Sequence, residues 1–174
     1  MFGQFVYRYI THTLVSVKVC GILKSGEMNI ISVQLNPRDK PDSDNVQSAE
    51  IDNWAGYIEE FLNGDRKAFP KPIPLLKKSL TPFQNRVLDA ASKIEWGSTI
   101  SYSELAAQAG NEKAVRAAAS VMASNPLPLI IPCHRVIRSD GSIGGYMRQT
   151  IGKTISLKKK LLEREKSNQI PLCK

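Results

Sequence analysis

Asn125-Pro-Leu-Pro-Leu-Ile-Ile-Pro-Cys-His-Arg-Val-Ile137 sets a thiol directly before an imidazole, at the end of an apolar run that opens on an Asn-Pro turn signal. Leu129, Ile130 and Ile131 stand between Pro128 and Pro132 and predict a short buried strand. Each proline locks its own φ and restricts the residue before it, so the backbone ahead of Cys133 is fixed. That is more rigidity than a core cysteine needs. Two readings of Cys133 stand side by side: a small buried hydrophobe, as free cysteines often are, and a nucleophile on a rigid mount. A nucleophilic cysteine reacts as the thiolate, and His134 is the adjacent candidate to take its proton. Neighbouring side chains of a regular strand point to opposite faces, so the two cooperate only through a turn over Pro132–Arg135 and a bridging water.

Upstream of this stretch the sequence predicts helices. Thr81 reads as an N-cap, with Pro82 at the first helical position, Gln84 three residues after the cap, and Phe83, Val87, Leu88, Ala91 and Ile94 at helical spacing. Ser101-Tyr-Ser-Glu104 is a second capping box opening a short helix that Gly110 ends; Asn111 is read as the cap of a third helix running to about Ser124. Alanines at 106, 107, 114 and 117–119 permit close packing, and the pair reads as a helix-turn-helix whose second member is the recognition helix, with Arg116 among small residues on it. An alanine-rich helical hairpin that binds nothing fits the same pattern.

Downstream, Arg138-Ser-Asp-Gly-Ser-Ile-Gly-Gly-Tyr146 is a loop whose three glycines let backbone amides approach a ligand. The last helix is expected over about Gly152 to Lys166. Glu165, four residues after Leu161 and three after Leu162, shares their inward face and needs a partner there, either a nearby Arg or Lys or His134 itself. The run Lys158 to Lys160 reads as the solvated face of this helix.

Residues 1–35 predict a small antiparallel sheet: Phe5–Ile10, Leu14–Leu23 and Asn29–Leu35, with a turn at Ser25-Gly26. A loop over Asn36–Asn45 leads to a helix over about Ser48 to Leu62, with Ile51, Trp54, Ala55, Ile58 and Leu62 on one stripe and Gly64 closing it. Prolines 70, 72 and 74 mark a linker. The expected organisation is therefore residues 1–68 as a supporting domain, 69–80 as linker and 81–174 as the reacting domain.

Lys plus Arg outnumber Asp plus Glu by 24 to 16, a net charge of +8, and the pI is near 9.5, which favours a polyanionic partner. No apolar run reaches membrane-spanning length and no secretory signal opens the chain. Three widely spaced cysteines, Cys20, Cys133 and Cys173, argue against a disulfide framework and suit a reducing compartment. The expected location is the cytoplasm, or the nucleus in a eukaryotic source, with no membrane association.

The run Ile131-Pro-Cys-His-Arg-Val136, preceded by Asn125-Pro-Leu-Pro and the Tyr102–Asn125 helix pair with its single Arg116, resembles the C-terminal domain of the O6-alkylguanine-DNA alkyltransferases. The likeness runs from about Thr81 to Glu165. Over the first domain it lies in arrangement alone, a small sheet plus helix of the ribonuclease H-like kind, so the implied fold class is α+β, with a mostly helical second domain holding a helix-turn-helix and a short active-site strand.

The resemblance implies direct reversal of DNA alkylation, in which a lesion base is flipped out and its O6 alkyl group passes irreversibly to Cys133, consuming the protein. O4-alkylthymine would be a poorer substrate. His134 is then the water-mediated base, Glu165 its orienter, Asn125 a brace between recognition helix and active-site strand, and Tyr102 the proton donor to the leaving guanine. Arg116 fills the gap left by the flipped base from the minor groove of double-stranded DNA. The carbonyls of Cys133 and Val136 accept from the guanine amino group, Tyr146 and the amide of Met147 serve the O6, and Met122, Pro128 and Gly144 are pocket walls. Gln84, Ser103, Asn111, Ser139 and Tyr102 fall at DNA-backbone contacts. The protein is expected to act as a monomer.

Two departures from the family pattern stand out. After Tyr146 the family commonly has Ser-Gly-Gly or Arg-Trp-Gly, whereas here Met147-Arg-Gln-Thr-Ile-Gly-Lys follows, with several extra residues before the last helix. Some members also hold a structural zinc in the first domain, where this chain offers only His12 and Cys20; two ligands do not make such a site, so no metal and no cofactor are expected. Rival readings remain a lesion-sensing or regulatory helix-turn-helix protein without chemistry, and a thiol enzyme unrelated to DNA.

Overall fold

The computed structural model describes residues 4–24, 27–37, 48–73 and 80–167 of the 174-residue chain. The Ser25-Gly26 turn, most of the 36–45 loop, the end of the proline linker and Cys173 lie outside these residues. The fold is α+β, and the chain divides into two compact units, residues 1–78 with 126–128 and residues 79–125 with 129–174. Among the described residues no helix is long and apolar enough to cross a membrane.

In the first unit, β1 (Gln4–Thr11), β2 (Ser16–Lys24) and β3 (Glu27–Leu35) form an antiparallel sheet in the order β1-β2-β3. Alternation puts Val6, Ile10, Val17 and Val19 inside. Simple alternation fails on β3, where Ile30 and Val33 are both buried although they stand three apart. The register shifts between Cys20 and Gly21, so that Cys20 pairs with Ser32 and Gly21 with Ile30; the extra residue restores both side chains to the core face. Helix α1 (Ala49–Asn63) covers that face with the expected stripe of Ile51, Trp54, Ala55, Ile58 and Leu62, together with Phe61. The Gly64 amide closes the helix by donating to the Glu60 and Phe61 carbonyls.

The second unit begins with α2 (Pro82–Ala91), whose capping box forms as the sequence predicts: Gln84 N–H donates to Thr81 Oγ1 at 3.3 Å and Thr81 N–H to Gln84 Oε1 at 2.8 Å. Strand β4 (Ile100–Ser101) runs directly into α3 (Tyr102–Gln108), and Ser101 and Glu104 make the second box. The expected cap at Asn111 is not formed. Gly110, at φ 80°, and Asn111 send their amides back to the Ala107 and Ala106 carbonyls, a Schellman closure of α3. The Asn111 carbonyl accepts from the Ala114 amide at 3.0 Å in a separate turn, so α4 begins only at Val115, running to Ala123, and its N-cap Ala114 has no side chain able to accept.

The strand expected over Leu129–Ile131 is also absent. Prolines 126, 128 and 132 have no N–H to give to a ladder, and Leu129 sits at φ 75°, so the run folds as buried turns. Cys133–Arg135 form one turn of 3₁₀ helix, which is the turn the cysteine-histidine pair requires. The short strand comes after the thiol: β5 (Val136–Ile137) pairs in parallel with β4, Ile100 opposite Val136 and Ser101 opposite Ile137. That pairing fixes the Cys-His-Arg turn beside the start of α3, where Tyr102 stands. Helix α5 (Lys153–Ser167) completes the unit.

Candidate active site

Cys133 is 2% exposed and lines the inner wall of a cavity of about 350 Å³. Burial pushes its thiol pKa above 9.0, opposed by a hydrogen bond from the Asn125 side chain, the positive charge of Lys158 and the neighbouring Tyr146 phenol. The thiol is therefore neutral at rest. Asn125 holds two parts of the site, because its Nδ2 also donates to the Ile131 carbonyl at 2.8 Å and so fixes the turn that delivers Cys133. The buried Tyr146 hydroxyl lies beside the thiol, and burial together with the neighbouring Cys133 pushes the phenol pKa well above its usual value.

Behind the thiol, the 3₁₀ turn points His134 and Arg135 at α5. His134 Nε2 donates to Glu165 Oε1 at 2.8 Å, with both side chains shut off from solvent. Arg135 clamps the same carboxylate through two nitrogens, Nε to Oε2 and Nη2 to Oε1, both at 2.9 Å. The Gly97 N–H donates to Oε2 at 3.0 Å. Arg135 Nη1 donates to the Ile94 carbonyl at 2.6 Å, and its guanidinium lies 5.8 Å from the centre of the Trp96 ring. Burial alone would raise the Glu165 pKa, but the hydrogen bonds from His134 and Arg135 outweigh it and hold the carboxyl at about 2. Burial also lowers the His134 pKa below 6.5, against the pull of Glu165, so the resting imidazole is neutral and able to accept a proton. Glu165 engages Nε2, so Nδ1 is the ring nitrogen not committed to the carboxylate.

Lys158 is fully buried, contrary to its reading as part of a solvated face. Its ammonium donates to the Val136 carbonyl at 2.6 Å and to the Gly145 carbonyl at 3.2 Å, and Tyr102 Oη donates to the same Gly145 carbonyl at 3.3 Å. Burial lowers the Lys158 pKa to about 8, with Cys133 pulling the other way. Residues 158, 161 and 165 lie on one stripe of α5, so the periodicity that identified Glu165 also marks Lys158. The nearby Arg weighed as a partner for Glu165 is Arg135, which binds it together with His134 rather than in its place; the Gly97 amide was missed, and the signal for it was that a buried carboxylate has more lone pairs than one imidazole can satisfy.

Of the residues predicted for the pocket and its chemistry, Tyr102, Met122, Cys133, Tyr146 and Met147 line the cavity. Ala119, Ala123, Arg138 and Arg148 line it without having been anticipated. Gly144, at φ 69°, stands against Tyr102 and Arg138, where an added Cβ would lie 3.4 and 3.3 Å from their side chains. The Val136 carbonyl already accepts from Lys158, and Pro128 is buried in the 126–128 stretch that groups with the first unit. Arg116, Ser103, Asn111 and Ser139 are exposed, while Gln84 is half-buried and occupied in its capping box. Of the two residues weighed for zinc, His12 Nε2 pairs with Asn63 Oδ1 at 3.1 Å, and Nδ1 accepts from the Leu14 amide.

Comparison with known proteins agrees with this geometry. Residues 82–167, which hold the cavity and the whole His134-Glu165-Arg135 cluster, match the family model for the 6-O-methylguanine DNA methyltransferase DNA-binding domain. A methylated-DNA–protein-cysteine methyltransferase from Methanothermobacter thermautotrophicus is 44% identical over 126 residues, 72% of this chain and 67% of that protein. The crystal structure of Mycobacterium tuberculosis O6-methylguanine methyltransferase superposes with a TM-score of 0.76 at 28% identity, covering 97% of this chain and 96% of the other. The mycobacterial protein in complex with DNA gives 0.73, again at 28% identity, over 92% of each chain. A buried cysteine, backed by a histidine and carboxylate and housed in the matched domain, places this chain in the O6-methylguanine-DNA methyltransferase family.

Proposed function

We propose that this protein repairs alkylated DNA directly, by moving the alkyl group from O6 of a guanine onto Cys133. The observation that carries the reading is a neutral thiol in the wall of a cavity, backed by a buried histidine whose far nitrogen is held by an ionised carboxylate. In the step, the Cys133 proton passes to His134 through a water at Nδ1, and the thiolate bonds to the alkyl carbon. The carbon–O6 bond breaks with its electron pair leaving on the guanine, which Tyr102 protonates. An alkyl carbon suits a soft sulfur nucleophile, and the thioether has no leaving group that water can displace, so each molecule reacts once. O4-alkylthymine is read as a poorer substrate.

The lesion reaches the thiol by leaving the base stack, since the O6 carbon is inaccessible inside a duplex. We read α3 and α4 as a helix-turn-helix that meets DNA from the minor groove. The support is an exposed Arg116 on α4, with exposed Ala117 and Ser120 on the same helix letting its axis lie close to the duplex. Ser103, Asn111 and Ser139 are further exposed positions for phosphate contacts. The first unit is read as a ribonuclease H-like support over residues 1–68, joined by the 69–80 linker to the reacting domain over 81–174. The protein is taken to act as a monomer where the cell keeps its DNA, in the cytoplasm or the nucleus.

Duplex DNA carrying methyl-labelled O6-methylguanine tests this. Label should move to Cys133 with at most one equivalent per protein and none to a Cys133→Ala variant; repeated turnover, or label on the variant, defeats the reading.

A further inference from the structure

The loop after Tyr146 is strained where it meets the cavity. Tyr146 and Gln149 exchange both backbone hydrogen bonds, at 2.8 and 2.9 Å, closing a turn whose two central residues are Met147 and Arg148. These sit at φ 48° and 62°, the left-handed region that such two-residue turns demand and that Asn-Gly normally fills. Nothing in the turn itself calls for a methionine and an arginine there. Backbone strain retained at the wall of a functional cavity points to the side chains it carries. Met147, Arg148, Gln149 and Thr150 all line the cavity that holds Cys133, and a hydrogen bond from Thr154 to Gln149 ties the turn to the start of α5.

The charge of that cavity is one-sided. Its lining contains Arg138 and Arg148 and no carboxylate. Arg148 makes no ion pair or side-chain hydrogen bond with a described residue, while Asp140 faces Arg138. The carbon that reacts must lie at Cys133 Sγ, so whatever extends beyond that carbon runs along the remaining walls, a continuous part of which is the 147–150 turn.

We propose that Arg148, assisted by Arg138, makes this protein selective for O6-alkyl groups that end in an anion, carboxyalkyl groups foremost. The inference rests on the alkyl-transfer reading above. A guanidinium offers a carboxylate two parallel hydrogen bonds, whereas a methyl group leaves that fork in water. The displacement itself is unchanged: Cys133 sulfur bonds to the methylene carbon, the bond to O6 breaks, the guanine leaves with the electron pair, and the carboxylate takes no part in bond making.

The test compares single-turnover transfer from O6-carboxymethylguanine and from O6-methylguanine in duplexes otherwise identical, for the parent and for Arg148→Gln, Arg138→Gln and Arg148→Lys. The readout is the ratio of the two rates on one protein, which cancels effects common to both substrates. Arg148→Gln should lower the carboxymethyl-to-methyl ratio by about tenfold, the scale of one charge-assisted hydrogen bond, and Arg148→Lys by less. If Arg148 instead holds only a DNA phosphate, both rates fall together and the ratio stays constant, which overturns the proposal. Absence of methyl transfer to Cys133 in the parent would instead remove the repair reading itself.

Discussion

Replacing Glu165 with glutamine should weaken the second unit by about 3 kcal/mol at neutral pH, and that penalty should fade in acid. The carboxyl pKa drops from 4.5 to about 2 on folding, and a difference of that size, at ~1.4 kcal/mol for each tenfold change in acidity, gives a contribution of about 3 kcal/mol. Removing one partner of a buried ion pair costs about 3–5 kcal/mol, and here the Arg135 guanidinium, 5% exposed, would lose its counter-charge and keep the Ile94 carbonyl as a neutral acceptor. Glutamine also directs an NH₂ at donors, since one of its two terminal atoms must face either the Gly97 amide and Arg135 Nε or His134 Nε2. Because the folded pKa is depressed, the stabilisation is complete above about pH 4.5 and lost as pH falls towards 2. Urea denaturation of parent and variant between pH 7 and pH 3 would measure it. The expected result is a gap of about 3 kcal/mol at pH 7 that narrows below about pH 4.5, with a thermal midpoint on the order of 15 °C lower at neutral pH. Equal stabilities at pH 7, or a gap indifferent to acid, would refute the assignment of Glu165 as the ionised anchor of this cluster.

Other perturbations follow from the same contacts. The folded His134 pKa lies below its unfolded value, so stability should fall as pH drops below 6.5, by up to about 1.4 kcal/mol for each step of one in pH; His134→Gln should remove that dependence in urea titrations at pH 7.5 and 5.5. Lys158→Met takes away the ammonium that opposes the rise of the Cys133 pKa, so the pH profile of Cys133 alkylation by iodoacetamide should move to higher pH; superimposable profiles would show that Lys158 does not act on the thiol. Asn125→Ala should destabilise by about 1–3 kcal/mol through the orphaned Ile131 carbonyl and also slow alkyl transfer, as measured by denaturation and single-turnover kinetics. Tyr102→Phe should lower the single-turnover rate at saturating DNA on the order of 10²-fold if the phenol supplies the guanine proton.

How much of this was legible in the sequence depends on how local each cause is. Thr81 with Gln84 and Ser101 with Glu104 were readable as capping boxes because both partners lie within one turn of helix. Asn111 misled because a good capping residue was identified but its backbone is used on both sides of it, its amide in the closure of α3 and its carbonyl in a turn to Ala114, which moves the helix start on to Val115. The bulge on β3 was invisible because Ile30 and Val33 satisfy an alternating pattern only once an extra residue is inserted opposite β2. On α5 the helical period exposed Glu165, whereas the run Lys158 to Lys160 hid a buried lysine among solvated ones. What makes Lys158 buriable is a pair of carbonyls, from Val136 and Gly145, that only tertiary structure brings together.

The two perturbed groups nearest the reaction explain why a single-use thiol can survive until it meets its target. Burial raises the Cys133 pKa and lowers that of His134, so at neutral pH the resting pair is thiol and imidazole, without the thiolate that reacts with stray electrophiles. Charge separation is nonetheless prepared for, because Glu165 stays ionised against the far nitrogen of His134 and the Lys158 ammonium lies on the side of the sulfur. The thiolate-imidazolium pair is then best stabilised when a substrate fills the cavity and excludes water, which strengthens both interactions. The order of these effects is open to measurement. Thiolate absorbance near 240 nm should be absent in free protein at pH 7.5, and Cys133 should react with iodoacetamide more slowly than the half-exposed Cys20. If Cys133 were instead an ionised thiolate at rest, the pH profile of its alkylation would be flat from about pH 6 upward, and His134 would have to stand as an imidazolium against Glu165 before any substrate arrives.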